Sequence, residues 1–181
     1  AMAKPRIIGG VAKGRALDTP PHGTRPSPAR LREALFDILA FEPRGRFLDL
    51  YAGSGAVGLE AASRGFEAVC VELAKPAAAV IRRNAASLGL PVEVVRGDAL
   101  AYAAAHPGEF DVVFAAPPYP LDLERAFLGV VGSGAARPGG LYVLQHPSGL
   151  TPTLPEGFPP AAARLHRYGS NALTVVRVPG G

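Results

Sequence analysis

Residues 47–58 have the sequence Phe-Leu-Asp-Leu-Tyr-Ala-Gly-Ser-Gly-Ala-Val-Gly. A short apolar run is followed by glycines at positions 53, 55 and 58, which form a G-x-G-x-x-G pattern. This order predicts a buried strand, a tight turn and a helix over about 57–64. Glycines allow a ligand to approach the backbone closely, and the first turn of a helix has free N–H groups. The segment therefore predicts a ligand site at the end of a strand.

Short apolar segments alternate with helical ones after this turn. Further strands are predicted at 68–72, 92–95, 111–114 and 141–144, with helices at 76–88 and 121–130 and a short helix before residue 111. The proline-rich residues 147–163 predict a loop, and the apolar pieces 163–165 and 172–178 predict a closing antiparallel hairpin. The pattern favours an α/β fold with a mostly parallel seven-stranded sheet and helices on both faces.

The N-terminal residues 1–28 differ from the rest because they are rich in Gly, Pro and basic residues. We predict an extended or hairpin arm outside the core, followed by one domain over residues 29–181. The net charge of the chain is +4, and residues 4–32 contain seven Lys or Arg residues against a single acid, Asp18. Such a surface attracts phosphate-rich partners, although charge alone fits a solvated basic surface equally well.

A helix is predicted directly after the arm. Ser27 and Pro28 fit its N-cap and its first-turn proline. Leu31 and Leu35 belong to an apolar face with i, i+3, i+4 spacing, whereas Arg32 falls on the other, polar face. The other residues of that face are Arg30, Glu33 and Asp37.

Composition disfavours several classes of protein. No run approaches the roughly 18 apolar residues of a membrane span, and the N-terminus lacks the pattern of a secretory signal, so a cytoplasmic protein is expected. The single cysteine, Cys70, excludes an internal disulfide, and its apolar neighbours favour a buried, inert side chain. The four histidines are scattered, and no metal site is expected.

Three acidic residues lie in or after three consecutive predicted strands. Asp49 is inside the first strand, Glu72 ends the second and Asp98 follows the third. The carboxyl ends of parallel strands border the ligand crevice of an open α/β sheet. S-adenosylmethionine would offer its ammonium to Asp49, its ribose hydroxyls to Glu72 and its adenine amino group to Asp98. The other predicted contacts of this cofactor are Tyr51, Ala52, Gly53, Ser54, Gly55 and Ala99.

Two alternatives remain open on these residues alone. A dinucleotide cofactor also uses such glycines and an acid about 20 residues further on, although carboxylates crowded around the turn would repel a pyrophosphate. In addition, Asp49 fits a purely structural acid, and Asp98 fits a helix cap.

A series of ordered blocks along nearly the whole chain is more specific than the glycine pattern. The blocks are Arg6-Ile7-Ile8-Gly9-Gly10, Thr24-Arg25-Pro26-Ser27, Arg32-Glu33-Ala34-Leu35-Phe36, Leu48 through Gly58, Ser63-Arg64-Gly65 and Tyr168-Gly169. Together they resemble the bacterial 16S rRNA guanine-N2 methyltransferases of the RsmD type. The resemblance implies a Rossmann-like class I methyltransferase fold and methyl transfer from S-adenosylmethionine to the exocyclic N2 of a guanine.

The resemblance also has implications for partners. The acceptor would be 16S rRNA or the small ribosomal subunit, and the arm, through Arg15 and Arg25, would contact RNA phosphates. We expect a monomer that binds neither a membrane nor a metal.

The loop after the fourth strand contains the predicted catalytic residues Ala116, Pro117, Pro118 and Tyr119. In the family that the chain resembles, this loop normally begins with Asp, which accepts hydrogen bonds from the target amine, and ends with an aromatic residue that can stack on a base. Ala116 has no such acceptor, and losing one catalytic partner commonly costs about 10²–10⁴ in rate.

A second departure is Gln145-His146 at the end of the next strand, where an acid is expected. The sequence thus leaves three alternatives for an rRNA methyltransferase of this type: an active enzyme, a weakened enzyme, and an RNA-binding protein without efficient turnover. A methyltransferase with a different acceptor is a further alternative.

Overall fold

Seven strands form one sheet in the computed structural model, which describes residues 4–21, 27–118 and 121–180. The strands are β1 (Arg46–Leu50), β2 (Glu67–Glu72), β3 (Val92–Arg96), β4 (Phe110–Ala115), β5 (Ala136–Pro147), β6 (Ala163–Tyr168) and β7 (Asn171–Arg177). Their order is β3-β2-β1-β4-β5-β7-β6. The first five strands pair in parallel, and β7 runs antiparallel to both β5 and β6. The predicted mostly parallel sheet with a closing hairpin is confirmed.

Helices cover both faces of this sheet. They are α1 (Ala29–Ile38), α2 (Ala56–Ser63), α3 (Lys75–Leu88), α4 (Ala99–Ala105) and α5 (Leu123–Gly132). Phe47 and Phe114 point to the face covered by α1 and α2, whereas Leu50 and Val113 point to the face covered by α4 and α5. Within the described ranges, no helix is long and apolar enough to cross a membrane.

The carboxyl ends of β1, β2 and β3 are joined directly by backbone hydrogen bonds. Ala52 N–H donates to the carbonyl of Val71 at 3.0 Å, and Gly97 N–H donates to the carbonyl of Glu72 at 3.1 Å. The glycine-rich turn, the end of β2 and the start of α4 therefore lie together at the carboxyl edge of the sheet. This is the edge at which open α/β sheets bind ligands.

Strand β5 begins earlier than the sequence predicts. It includes Pro138-Gly139-Gly140, which the sequence places before the strand. The pairing of β4 with β5 changes register between Phe110 and Val112, so the extra residues of β5 form a bulge there. A bulge tolerates Pro and Gly inside a strand.

The prediction that the arm lies outside the core is wrong. Arg6 and Ala16 form an antiparallel bridge, so the predicted hairpin exists. However, Ile7, Ala12 and Leu17 are buried against α2 and α3. The hairpin directs these apolar side chains toward the alanine-rich surfaces of the two helices, and its cations face outward.

The predicted cap of α1 is also wrong. Pro28 rather than Ser27 is the N-cap, without a side-chain hydrogen bond, and Ala29 is the first helical residue. The Ser27 hydroxyl instead donates to Gln145 Oε1 at 3.3 Å. The Ser27 side chain therefore bonds to a residue distant in sequence and not to the first turn of α1.

Arg32 is buried, contrary to the predicted polar face of α1. Its side chain is 1% exposed and lies 3.5 Å from Glu60 of α2, which is fully buried. Its guanidinium also donates to the carbonyls of Ser27 at 2.8 Å and Arg6 at 2.6 Å. The arm, the start of α1 and the middle of α2 are therefore held together by one side chain.

Candidate cofactor and substrate site

The turn after β1 has an unusual backbone. Tyr51, Gly53 and Gly55 have φ values of 57°, 58° and 79°, and Tyr51 is the only non-glycine residue with positive φ in the described part of the chain. A side chain in this conformation stores strain of about 1–3 kcal/mol, which is typical of functional sites. A Cβ at Gly55 would lie 2.7 Å from Ile81, so this glycine is also required for space.

Glu72 closes one side of the turn. Its Oε1 accepts from Gly53 N–H at 2.7 Å, and its Oε2 accepts from Ala74 N–H at 2.8 Å. Each carboxylate oxygen keeps a second lone pair, so the group can still accept hydrogen bonds from two hydroxyls. The acid predicted to bind ribose is therefore in contact with the glycine-rich turn.

Asp49 lies beneath the turn and is only 1% exposed. Its Oδ2 accepts from Gly58 N–H at 2.9 Å and lies 3.9 Å from Cys70 Sγ. Burial, together with the nearby charge of Glu72, raises the pKa of Asp49 to about 8, although the Gly58 N–H opposes this rise. Asp49 thus has the structural role left open above, while its Oδ1 has no hydrogen bond from the described residues.

Cys70 is fully buried next to this carboxyl group. Burial raises the pKa of the Cys70 thiol well above its usual value, and the neighbouring Asp49 adds to the effect. The predicted burial of Cys70 is confirmed.

Replacing Gly58 by alanine is expected to lower the free energy of unfolding by about 1–3 kcal/mol, because the added methyl overpacks the core. A Cβ at Gly58 would lie 2.3 Å from Cys70 Sγ and 3.1 Å from Asp49 Oδ2. Urea unfolding measures the change. Gly132→Ala is the matched control, since Gly132 is exposed in a helix and an added Cβ meets no atom of the described residues within 4 Å. Equal stability of the two variants would contradict the close packing of Gly58 against Cys70 and Asp49.

Asp98 is the N-cap of α4 and accepts from Ala101 N–H at 2.8 Å through Oδ2. It is exposed, and its Oδ1 has no partner in the described ranges. Burial raises the pKa of the Tyr51 hydroxyl, and the negative charge of Asp98 adds to this rise. The interpretation of Asp98 as a helix cap is confirmed. Its Oδ1 is still available to accept a hydrogen bond from a ligand.

Two other predicted cofactor contacts have buried side chains. Ser54 is 4% exposed and its hydroxyl accepts from Ala56 N–H at 3.3 Å, while Ala99 is 5% exposed.

The predicted catalytic loop begins beside the glycine-rich turn. Ala115, the last residue of β4, pairs with Leu50 of β1 on one side. Ala116 is half-buried, Pro117 is buried and Pro118 is exposed. Tyr119, like the predicted phosphate contact Arg25, lies outside the described residues.

His146, which lies where the sequence comparison with the family leads us to expect an acid, is a structural residue. It is 2% exposed, and its Nδ1 lies 2.8 Å from the carbonyl of Pro147. Because a carbonyl only accepts, Nδ1 carries the proton, and Nε2 accepts from the Thr174 hydroxyl at 2.6 Å. Burial lowers the pKa of His146, so the ring is neutral at pH 7.

The basic arm is only partly available for phosphates. Lys4 pairs with Asp18 at 2.8 Å, whereas Lys13 and Arg15 are exposed. Val11 N–H donates to the carbonyl of Ser63, so the tip of the hairpin lies at the end of α2 remote from Gly55. The structure therefore does not bring Arg15 to the rim of the glycine-rich turn. Arg164 and Arg167 on the edge strand β6 are exposed as well, although they lie outside the basic arm that the sequence predicts to contact RNA.

Comparisons with known proteins identify close relatives. The profile of the family described as conserved hypothetical protein 95 matches residues 5–177. The putative rRNA methyltransferase YlbH of Bacillus subtilis is 36% identical over 70% of this chain and 73% of its own length. The ribosomal RNA small subunit methyltransferase D of Escherichia coli is 38% identical over 63% of this chain and 60% of its own length.

A solved structure is similar as well. The 16S rRNA N2 guanine methyltransferase RsmC of Thermus thermophilus, in complex with AdoMet and guanosine, superimposes with a TM-score of 0.72. It is 26% identical, and the match covers 85% of this chain and 44% of that protein.

Proposed function

This chain belongs to the conserved hypothetical protein 95 family, the family of the RsmD-type rRNA methyltransferases, and we propose that it methylates the exocyclic N2 of a guanine in 16S rRNA. S-adenosylmethionine is the methyl donor. The relatives named for rRNA methylation and the fold shared with an AdoMet-bound guanine methyltransferase support this proposal.

The hydrogen bond between Glu72 and Gly53 is the observation that carries the choice of cofactor. In dinucleotide enzymes, the N–H groups of the glycine-rich turn face a pyrophosphate. Here Gly53 N–H is already bonded to the Glu72 carboxylate at 2.7 Å. The crevice therefore presents negative charge, which repels a pyrophosphate but suits ribose hydroxyls, an ammonium and an adenine amino group.

Each part of the cofactor then has a proposed partner. Glu72 accepts from the ribose hydroxyls, Asp98 accepts from the adenine amino group through Oδ1, and Asp49 accepts from the ammonium through Oδ1. The backbone from Tyr51 to Gly55 packs against the cofactor. The loop from Ala116 onward holds the guanine, and Arg15 and Arg25 contact RNA phosphates.

Methyl transfer is direct in this proposal. The lone pair of guanine N2 forms a bond to the methyl carbon while the carbon–sulfur bond breaks, which leaves S-adenosylhomocysteine. One N2 proton passes to solvent. The protein contributes mainly by positioning the two reactants.

Transfer of a tritiated methyl group tests the proposal. Purified protein is incubated with labelled S-adenosylmethionine and either unmodified 16S rRNA or small subunits, and the RNA is digested to nucleosides. We expect label in N2-methylguanosine. Calorimetry with S-adenosylhomocysteine and with NAD runs in parallel, and binding of NAD alone would overturn the proposal.

Glu72→Ala is expected to weaken S-adenosylhomocysteine binding by about 10- to 100-fold, since hydrogen bonds to a charged group contribute about 1.5–3 kcal/mol. Calorimetry measures the affinity, and thermal unfolding checks that the variant folds. Glu67→Ala is the matched control, because Glu67 is an exposed residue at the other end of β2. The assignment fails if both variants bind like the wild type.

A further inference from the structure

We propose that the carboxamide of Gln145 supplies the hydrogen-bond acceptor for the target guanine that the side chain of Ala116 lacks. Gln145 is the only glutamine in the sequence. The inference rests on the proposed methylation of guanine N2, and it names a catalytic residue for that reaction.

The register of the sheet brings Gln145 next to Ala116. Ala115 of β4 pairs in parallel with Leu144 of β5. Ala116 directly follows the end of β4, and Gln145 is the next residue of β5. Side chains alternate between the two faces of a sheet, so both residues point to the face opposite to that of the Ala115–Leu144 pair. Neighbouring strands are about 4.8 Å apart, a distance that a glutamine side chain spans.

The packing agrees with this placement. Ala116 packs against the apolar cluster that contains Phe114 and Val143 on the α1 face of the sheet. Gln145 pairs with Leu173, which belongs to the same cluster. Gln145 is therefore on the α1 face as well, at the edge where the loop holding the guanine begins.

The carboxamide of Gln145 is held in place but still has free hydrogen-bond acceptor and donor sites. Oε1 accepts from the Ser27 hydroxyl at 3.3 Å, and the side chain is only half-buried. A carbonyl oxygen has two lone pairs, and the amide nitrogen donates no hydrogen bond to a described residue. One acceptor site and the N–H donors thus remain for a ligand, while Ser27 restricts the orientation of the side chain.

Guanine offers a complementary edge. Its N2 amine donates and the adjacent N3 accepts, so a carboxamide can bind both in the plane of the base. The N2 lone pair is delocalised into the ring, and an acceptor on one N2–H increases the electron density on nitrogen. The other N2 proton leaves to solvent when the carbon–nitrogen bond forms and the carbon–sulfur bond breaks.

The test compares Gln145→Met, which keeps the length of the side chain, with Gln145→Glu, which keeps an acceptor. We expect Gln145→Met to lower kcat about 100-fold or more. The KM for S-adenosylmethionine and the unfolding temperature should stay near wild-type values. Gln145→Glu should retain kcat within about tenfold. If Gln145→Met does not fold, Gln145→Ala takes its place.

Rescue provides the second readout. Ala116→Asp returns an acceptor to the neighbouring strand, so it should restore kcat in the Gln145→Met background. Normal kcat in folded Gln145→Met, or no rescue by Ala116→Asp, would overturn this inference but not the proposed function. A wild-type protein that labels neither RNA nor small subunits would overturn the proposed function and the inference with it.

Discussion

Replacing Arg32 by methionine is expected to lower the free energy of unfolding by about 3–5 kcal/mol, because the change removes one partner of a buried ion pair. Arg32 is 1% exposed and Glu60 is fully buried. In the variant, Glu60 keeps the N–H groups of Ile8 and Gly9 and the partly exposed Arg64. It loses the cation that lies with it in the interior.

The loss extends beyond the ion pair. The guanidinium of Arg32 also satisfies the carbonyls of Arg6 and Ser27. Without it, the arm and the start of α1 lose their shared contact. Arg32→Lys should restore only part of the stability, since a lysine has the charge but not the planar fork of donors.

Urea unfolding of Arg32→Met and Arg30→Met measures the effect. Arg30 is an exposed residue on the same helix, and its replacement should change stability by no more than about 0.5 kcal/mol. Similar values for the two variants would mean that the buried pair contributes little to folding.

Most of the features predicted correctly from sequence are local ones. The strand at 47–50, the glycine-rich turn and the following helix depend on residue spacing within a short window, and all three are present in the structure. Sequence also indicated Glu72 and Asp98 as neighbours of the turn, since strand ends of a parallel sheet share one edge.

The features that sequence missed depend on distant partners. Arg32 lies on what looks like a polar face, and its burial requires Glu60 from another helix. Ser27 would cap α1 locally, but its hydroxyl bonds to Gln145 instead. The relation of Gln145 to Ala116 follows only from the sheet register, which no spacing along the chain reveals.

The affinity for S-adenosylhomocysteine is expected to increase between pH 6 and pH 8, by up to about tenfold per pH unit. Burial raises the pKa of Asp49 to about 8, so in the ligand-free protein this carboxyl group is almost fully protonated at pH 6 and half protonated near pH 8. A bound ammonium favours the ionised carboxylate, and binding therefore releases a proton. Below pH 8, the ionised fraction of Asp49 rises about tenfold for each unit by which the pH increases. The rise in affinity therefore ends near the pKa.

The same carboxyl group makes the stability of the ligand-free protein depend on pH in the opposite direction. The folded protein binds the Asp49 proton more tightly than the unfolded chain does, since the pKa is raised on folding. Its contribution to stability is therefore fully present at low pH. It declines as the pH rises from about 4 toward 8, with a slope of at most about 1.4 kcal/mol per pH unit.

Asp49→Asn separates the two roles of this residue, because asparagine resembles the protonated acid but cannot ionise. We expect the variant to bind S-adenosylhomocysteine with little dependence on pH and more weakly than the wild type at pH 8. Calorimetry in two buffers of different ionisation enthalpy counts the released proton. Asp98→Asn is the control, since it should weaken binding equally at every pH. If Asp49→Asn matches the wild type throughout, Asp49 only supports the turn through Gly58 and does not contact the ammonium.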